Sequence, residues 1–157
     1  MQGITPCLWF DTQALEATEF YVSIFKNSRL GEVSYYGEGA PLPKGTVLTV
    51  TFQLNGQEFM ALNGGPVFQF NEAVSLVVNC ETQEEIDEYW QKLTAGGQEV
   101  QCGWLKDKYG LSWQIVPTAL GKMLTDKDPA KSNRMMQALM QMVKLDIRRL
   151  EQAFRGE

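Results

Sequence analysis

The chain has no histidine, so any proton transfer near neutral pH falls to a carboxylate, lysine, tyrosine or thiol whose pKa its surroundings have moved. Glu72 and Cys102 are the candidates. Glu72 stands just ahead of an apolar run, and Cys102 lies beside Gly103 within an expected strand. A reactive thiolate at Cys102 needs a basic neighbour that the local sequence does not clearly supply, and a structural role is the plainer reading of both residues. Cys7, Cys80 and Cys102 cannot all pair within the chain, and each lies in or beside an apolar strand. That suits reduced, buried thiols in a reducing compartment.

These residues are carried by a strand and helix pattern that occurs twice. Ile4 to Phe10 reads as a strand, and a helix follows from Asp11 or Thr12 to about Phe25, with Leu15, Phe20, Tyr21, Ile24 and Phe25 as its apolar face. Arg29 to Tyr36 is a strand, Gly37 to Gly45 a loop, and Val47 to Leu54 pairs with Gln57 to Asn63 across Asn55-Gly56, a strong hairpin signal. The pattern restarts with a strand at Ala73 to Cys80. Thr82 and Glu85 form a capping box for a helix with Ile86, Tyr89, Trp90 and Leu93 on one face, ended by Gly96-Gly97. Glu99 to Trp104 and Leu111 to Val116 read as strands around a turn at Asp107 to Gly110. The copies are offset by about 70 residues, Thr12 matching Thr82 and Phe20-Tyr21 matching Tyr89-Trp90.

Side chains alternate between the faces of a strand. Pro6, Leu8 and Phe10, with Val74, Leu76 and Val78, are expected to face the helices; Thr5, Cys7 and Trp9, with Ser75, Val77 and Asn79, fall on the opposite faces. That mixture of polar and apolar groups suits a small-molecule cavity, or else a face that is solvated or covered by a partner. After Pro117 the sequence turns helical, with Asp128-Pro129 and Asp146 as helix starts and Met136, Leu139, Met140 and Val143 as one apolar stripe.

Residues 1 to 117 carry 6 basic and 14 acidic side chains and residues 118 to 157 carry 8 and 5, so an acidic body precedes a basic tail. The tail's cations alternate with acids and apolar residues as solvated helix faces do, which argues against a nucleic-acid partner. No apolar run approaches the roughly 20 residues of a membrane helix, and Met1-Gln2-Gly3 leads straight into a strand without a targeting pattern, so a cytoplasmic location is expected.

The doubled unit, the hairpin leading to Phe59-Met60-Ala61-Leu62-Asn63, and Asp107-Lys108-Tyr109-Gly110-Leu111-Ser112-Trp113-Gln114 resemble the vicinal oxygen chelate superfamily of glyoxalase I, bleomycin-resistance proteins and extradiol dioxygenases. Thr5-Pro6-Cys7-Leu8-Trp9-Phe10, Asn63-Gly64-Gly65-Pro66, Phe68-Gln69-Phe70-Asn71-Glu72 and Cys102-Gly103-Trp104-Leu105-Lys106-Asp107 are similar to its PhnB-like branch, often labelled 3-demethylubiquinone 3-methyltransferases. The resemblance implies an α+β fold of two βαβββ modules, residues 1–66 and 67–117. Their half-sheets would form a cupped, barrel-like cavity with helices outside, and a helical tail at 118–157 would complete one compact domain. It also implies a homodimer.

Metal-using members place a glutamate four residues after a turn glycine. Here Gln114 follows Gly110 at that spacing, and Thr5, Cys7, Ala61 and Asn63 stand near the remaining positions, which leaves Glu72 as the nearby carboxylate. Neutral amides and one carboxylate bind a hard cation weakly. No glycine-rich turn follows a strand to cradle S-adenosylmethionine, so methyl transfer is not expected. The expected role is binding or sequestration of a small molecule by Thr5, Cys7, Trp9, Asn63, Glu72, Asn79 and Gln114, with no metal and no cofactor. An enzyme of the same fold, metal-free or with unusual ligands, is the alternative.

Overall fold

The computed structural model describes residues 3–157 and divides into two compact units, the first running to Phe70 and the second from Asn71 to Glu157. In the first, β1 (Cys7–Phe10), α1 (Ala14–Ile24), β2 (Arg29–Tyr35), β3 (Val47–Leu54) and β4 (Gln57–Asn63) build a mixed sheet in the order β1-β4-β3-β2. β1 runs parallel to β4, and the other pairs are antiparallel. Asn55 and Gly56 both have positive φ (50° and 82°), the backbone that a two-residue hairpin turn demands, and they fix the register Leu54 to Gln57. Once that register is set, alternation does the rest. Val50, Phe52 and Leu54 on β3, Phe59 and Ala61 on β4, and Leu8 and Phe10 on β1 are buried on the face that α1 covers with Ala14, Ala17, Tyr21 and Ile24.

The second unit repeats the plan. β5 (Ser75–Cys80), α2 (Gln83–Thr94), β6 (Gln98–Glu99), β7 (Trp104–Lys106) and β8 (Ser112–Pro117) pair in the order β5-β8-β7-β6, with β5 parallel to β8. The helix start forms as a variant of the capping box: Thr82 Oγ1 accepts from Glu85 N at 3.2 Å, while the Glu85 carboxylate reaches one residue past the cap to take the Glu81 N–H at 3.1 Å. Ile86, Trp90 and Leu93 turn inward from α2, and Leu105, Trp113 and Ile115 meet them from the sheet. The α+β architecture with two βαβββ modules is therefore the observed one.

The expected strand from Glu99 to Trp104 is instead two strands. Cys102 and Gly103 both take left-handed backbone (φ 61° and 84°), so the chain reverses there and β6 folds back on β7, Glu99 opposite Leu105. Cysteine is an uncommon residue at positive φ. What holds it is hydrogen bonding, since Cys102 N and Gly103 N donate to Met142 O and Val143 O, each at 2.8 Å.

Those acceptors belong to the helical tail, which packs within the second unit as α3 (Ala119–Leu124), α4 (Pro129–Leu139) and α5 (Ile147–Arg155). Asp128 and Asp146 cap α4 and α5 through Ala130 N and Arg149 N, as the sequence suggests. The apolar stripe differs from expectation. α4 ends at Leu139, so Met140 swings out to 60% exposure while Met135, Leu139, Met142, Leu145 and Leu150 form the buried cluster with Met123. Gln83 at the start of α2 ties this tail down, donating to Leu145 O and accepting from Ile147 N, and Lys144 pairs with Asp87 at 2.7 Å. Among the described residues no helix is long and apolar enough to cross a membrane.

Candidate functional site: two open sheet faces

Each sheet has one face covered by its helix and one that its helix leaves open. On the first sheet, Cys7 is in register with Met60 and Trp9 with Leu62, opposite in direction to the buried Leu8 and Ala61, so Cys7 and Trp9 lie on the open face. Thr5 precedes them and lines a groove of about 600 Å³, together with Arg29, Glu32, Thr51, Gln53, Glu58 and Met60. The groove lies where β2 breaks register between Leu30 and Val33. Gly31 is needed there because a Cβ would come within 2.4 Å of Thr51 Oγ1. Trp9 is held rather than free to swing: its Nε1 donates to Gly65 O at 2.9 Å, Phe68 packs edge-on at 5.0 Å, and Gly64 passes directly against the indole. Cys7 is exposed, contrary to the expectation that the thiols are buried, and partial desolvation raises its pKa. Cys80 fits that expectation, fully buried with its thiol pushed up to about 12, first by burial and then by the Glu85 charge. Cys102 is half-buried beside the tail.

Asn63 lies elsewhere. It is in register with Phe10 on the helix-covered face and is 2% exposed. Its Oδ1 accepts from Ala14 N at 2.8 Å, its Nδ2 donates to Val47 O at 3.1 Å, and its backbone carbonyl takes the Tyr36 hydroxyl at 2.5 Å. The side-chain amide thus caps α1 and ties it to the hairpin.

On the second sheet, Ser75, Val77 and Asn79 of β5 stand in register with Ser112, Gln114 and Val116 of β8, on the face away from the buried Trp113 and Ile115. Gln114 Nε2 donates to Ser75 Oγ at 3.0 Å. Lys106 and Trp104 of β7 are opposite Ser112 and Gln114, so they share this face, and Lys106 forms an ion pair with Glu72. That hydrogen bond, a second from Glu72's own backbone and the lysine charge hold the Glu72 carboxyl below its ordinary range. Ser112 is 1% exposed, and its hydroxyl has no hydrogen-bond partner. Val116, at the far end of the face, packs on the methionine-rich cluster of the tail.

Of the seven residues singled out from the sequence, Thr5, Cys7 and Trp9 gather on one open face, Asn79 and Gln114 share the other with Glu72 at its border, and Asn63 joins neither. Sequence reasoning placed Ser75 on this face but missed Lys106 and Ser112, although the i, i+2 spacing from Ser112 to Gln114 carried the signal. It also missed Arg29, Glu32, Glu58 and Met60 around the groove, which only the register of β2, β3 and β4 brings together.

Metal binding requires several donors converging on one point. Among the described residues no three His, Cys, Asp or Glu side chains gather to hold an ion, Glu72 is neutralised by Lys106, and the Gln114 amide is turned to Ser75.

The family model named 3-demethylubiquinone-9 3-methyltransferase matches residues 2–116, which spans both βαβββ modules. The chain belongs to this family. The PhnB protein of Bacillus cereus, which carries the same methyltransferase name, is 43% identical over 74% of this chain and 100% of its own, with a TM-score of 0.69. Two more distant structures share the fold alone. A protein from Pseudomonas aeruginosa is 18% identical, covering 74% of this chain and 98% of its own at a TM-score of 0.61. The genomically encoded fosfomycin resistance protein FosX from Listeria monocytogenes is 16% identical, covering 80% and 98% at 0.58. These neighbours place the family in the vicinal oxygen chelate fold, of the glyoxalase type. No curated protein matches the chain. The family model stops at residue 116, so α3, α4 and α5 lie beyond it.

Proposed function

We propose that this protein binds a small organic molecule on the open faces of its sheets, without a metal ion, as a sequestering or sensing protein. The observation that supports the reading is the alternation of the strands, which puts Thr5, Cys7 and Trp9 on one open face, where Thr5, Thr51 and Met60 line a groove of about 600 Å³, a volume suited to a metabolite-sized ligand. Trp9 offers an apolar edge, Thr5 and Thr51 offer hydroxyls, and on the second sheet Asn79 and Gln114 offer amides, with Glu72 paired to Lys106 at their border. Asn63 supports the first sheet from behind. The family name refers to methyl transfer, but the links from β1 to α1 (Asp11-Thr12-Gln13) and from β5 to α2 (Glu81-Thr82) contain no glycine to admit a nucleotide-like cofactor against the backbone.

A homodimer is part of the proposal. Tyr35, Val67 and Phe68 in the first unit and Val77 in the second are each at least half exposed, apolar surface that a second copy of the chain would cover. Light scattering behind gel filtration reads this directly, and a monomer at high concentration would oppose it.

Binding is tested by titrating tryptophan fluorescence against a metabolite and antibiotic panel, with and without EDTA. Saturable binding that EDTA leaves unchanged supports the reading. Binding abolished by EDTA, or silence across the panel, counts against it.

A further inference from the structure

We infer that the start of β8 carries a carboxylate-binding subsite, in which Lys106, Ser112 and Gln114 receive the anionic group of a small ligand and Glu72 fills that place in its absence. The inference rests on the small-ligand reading above and names the chemistry of the ligand. β8 lies between β5 and β7, so Ser112 stands between Ser75 on one side and Lys106 on the other. The Lys106 to Glu72 ion pair connects β7 with the segment entering β5, the two strands that flank β8 at Ser112. The Ser112 hydroxyl is buried to 1% with no partner from the protein, so its hydrogen bond is open to a water or to a ligand group that reaches it.

The surrounding groups are donors. Lys106 gives three N–H bonds, Gln114 Nε2 uses one of its two hydrogens on Ser75, and the Ser75 hydroxyl, accepting from Gln114, keeps its own proton to give. Glu72 shows that a carboxylate fits against Lys106, yet it leaves Ser112 unsatisfied. A ligand carboxylate reaching both would be better held, and Glu72, more than half exposed, can swing into solvent. Trp104, in register with Gln114, offers an apolar neighbour for the rest of such a ligand.

The test is an NMR titration of the full chain with sodium benzoate and with benzamide, its neutral counterpart, following the backbone amides of Lys106, Ser112 and Gln114. Wild type is expected to bind benzoate weakly or not at all. Glu72→Gln removes the internal competitor and one repelling charge and should tighten benzoate roughly fivefold, leaving benzamide unchanged. Adding Ser112→Ala to that variant should reverse the gain by about the same factor, because a hydrogen bond to a charged group is lost. Ser112→Ala alone should leave the melting temperature unchanged or raise it.

Equal benzoate affinity with and without Glu72, or a clear drop in melting temperature on Ser112→Ala, overturns the subsite. If the wider panel yields a neutral ligand while benzoate ignores Glu72, the subsite falls and the binding role stands. If Glu72→Gln gains benzoate but no panel compound reaches wild type, the subsite stands and the binding role falls.

Discussion

The side-chain oxygen of Asn63 receives the backbone N–H of Ala14 at 2.8 Å, so a residue at the end of β4 caps a helix that begins 49 positions earlier. The local N-cap, Gln13, makes no such bond. Asn63→Ala leaves the Ala14 N–H and the Val47 carbonyl without their partner and is expected to cost about 2–4 kcal/mol of stability. Urea unfolding followed by circular dichroism measures this. A loss within about 0.5 kcal/mol, the scale of an ordinary surface substitution, would show that the amide is not the cap.

Gly64 has a different constraint. An added Cβ would fall 2.3 to 2.5 Å from indole atoms of Trp9, a distance no packing tolerates. Gly64→Ala should therefore push the indole off Gly65 O, shift the tryptophan emission, and weaken ligands on the first sheet's open face more than those on the second. Fluorescence and the panel titration read both. An unchanged spectrum with unchanged binding would mean that Trp9 does not shape the first face.

The hairpin, the order of most elements and the helix-facing positions Leu8 and Phe10 were legible because each is encoded within a few neighbouring residues, whereas Pro6 and Val74, expected on the same faces, lie outside their strands and are exposed. Asn55-Gly56 dictates a two-residue turn and Thr82 with Glu85 a helix start, while Val50, Phe52 and Leu54 alternate with polar partners. Asn63 was not legible as a cap, since its partner is remote in sequence and a polar residue on a strand resembles a pocket residue until the register places it with Phe10. The turn at Cys102 was hidden for a similar reason. Cysteine is no turn former, and the carbonyls of Met142 and Val143 that hold it come from the tail. The Lys106 to Glu72 pair depends on β7, β8 and β5 lying side by side, which no local spacing reports.

Cys80 makes stability depend on alkaline pH. Its thiol titrates near 9 in the unfolded chain and is pushed up to about 12 when folded, so the folded state holds the proton longer. The contribution is therefore complete below pH 9 and is lost progressively as pH rises from 9 toward 12, where only the unfolded thiol ionises. Urea midpoints of wild type and Cys80→Ala, measured between neutral pH and about pH 10.5, should show a shallower alkaline decline in the variant. Parallel slopes would contradict the buried thiol. Alkylation of the native protein with iodoacetamide should likewise modify Cys7 well before Cys80.

The central proposal is that this chain binds its ligand without a metal ion, and metal content tests this most directly. Protein purified without chelators and examined by inductively coupled plasma mass spectrometry is expected to carry no divalent metal above the buffer background. One ion per chain, retained through gel filtration and lost together with Gln114→Ala or Glu72→Ala, would contradict it.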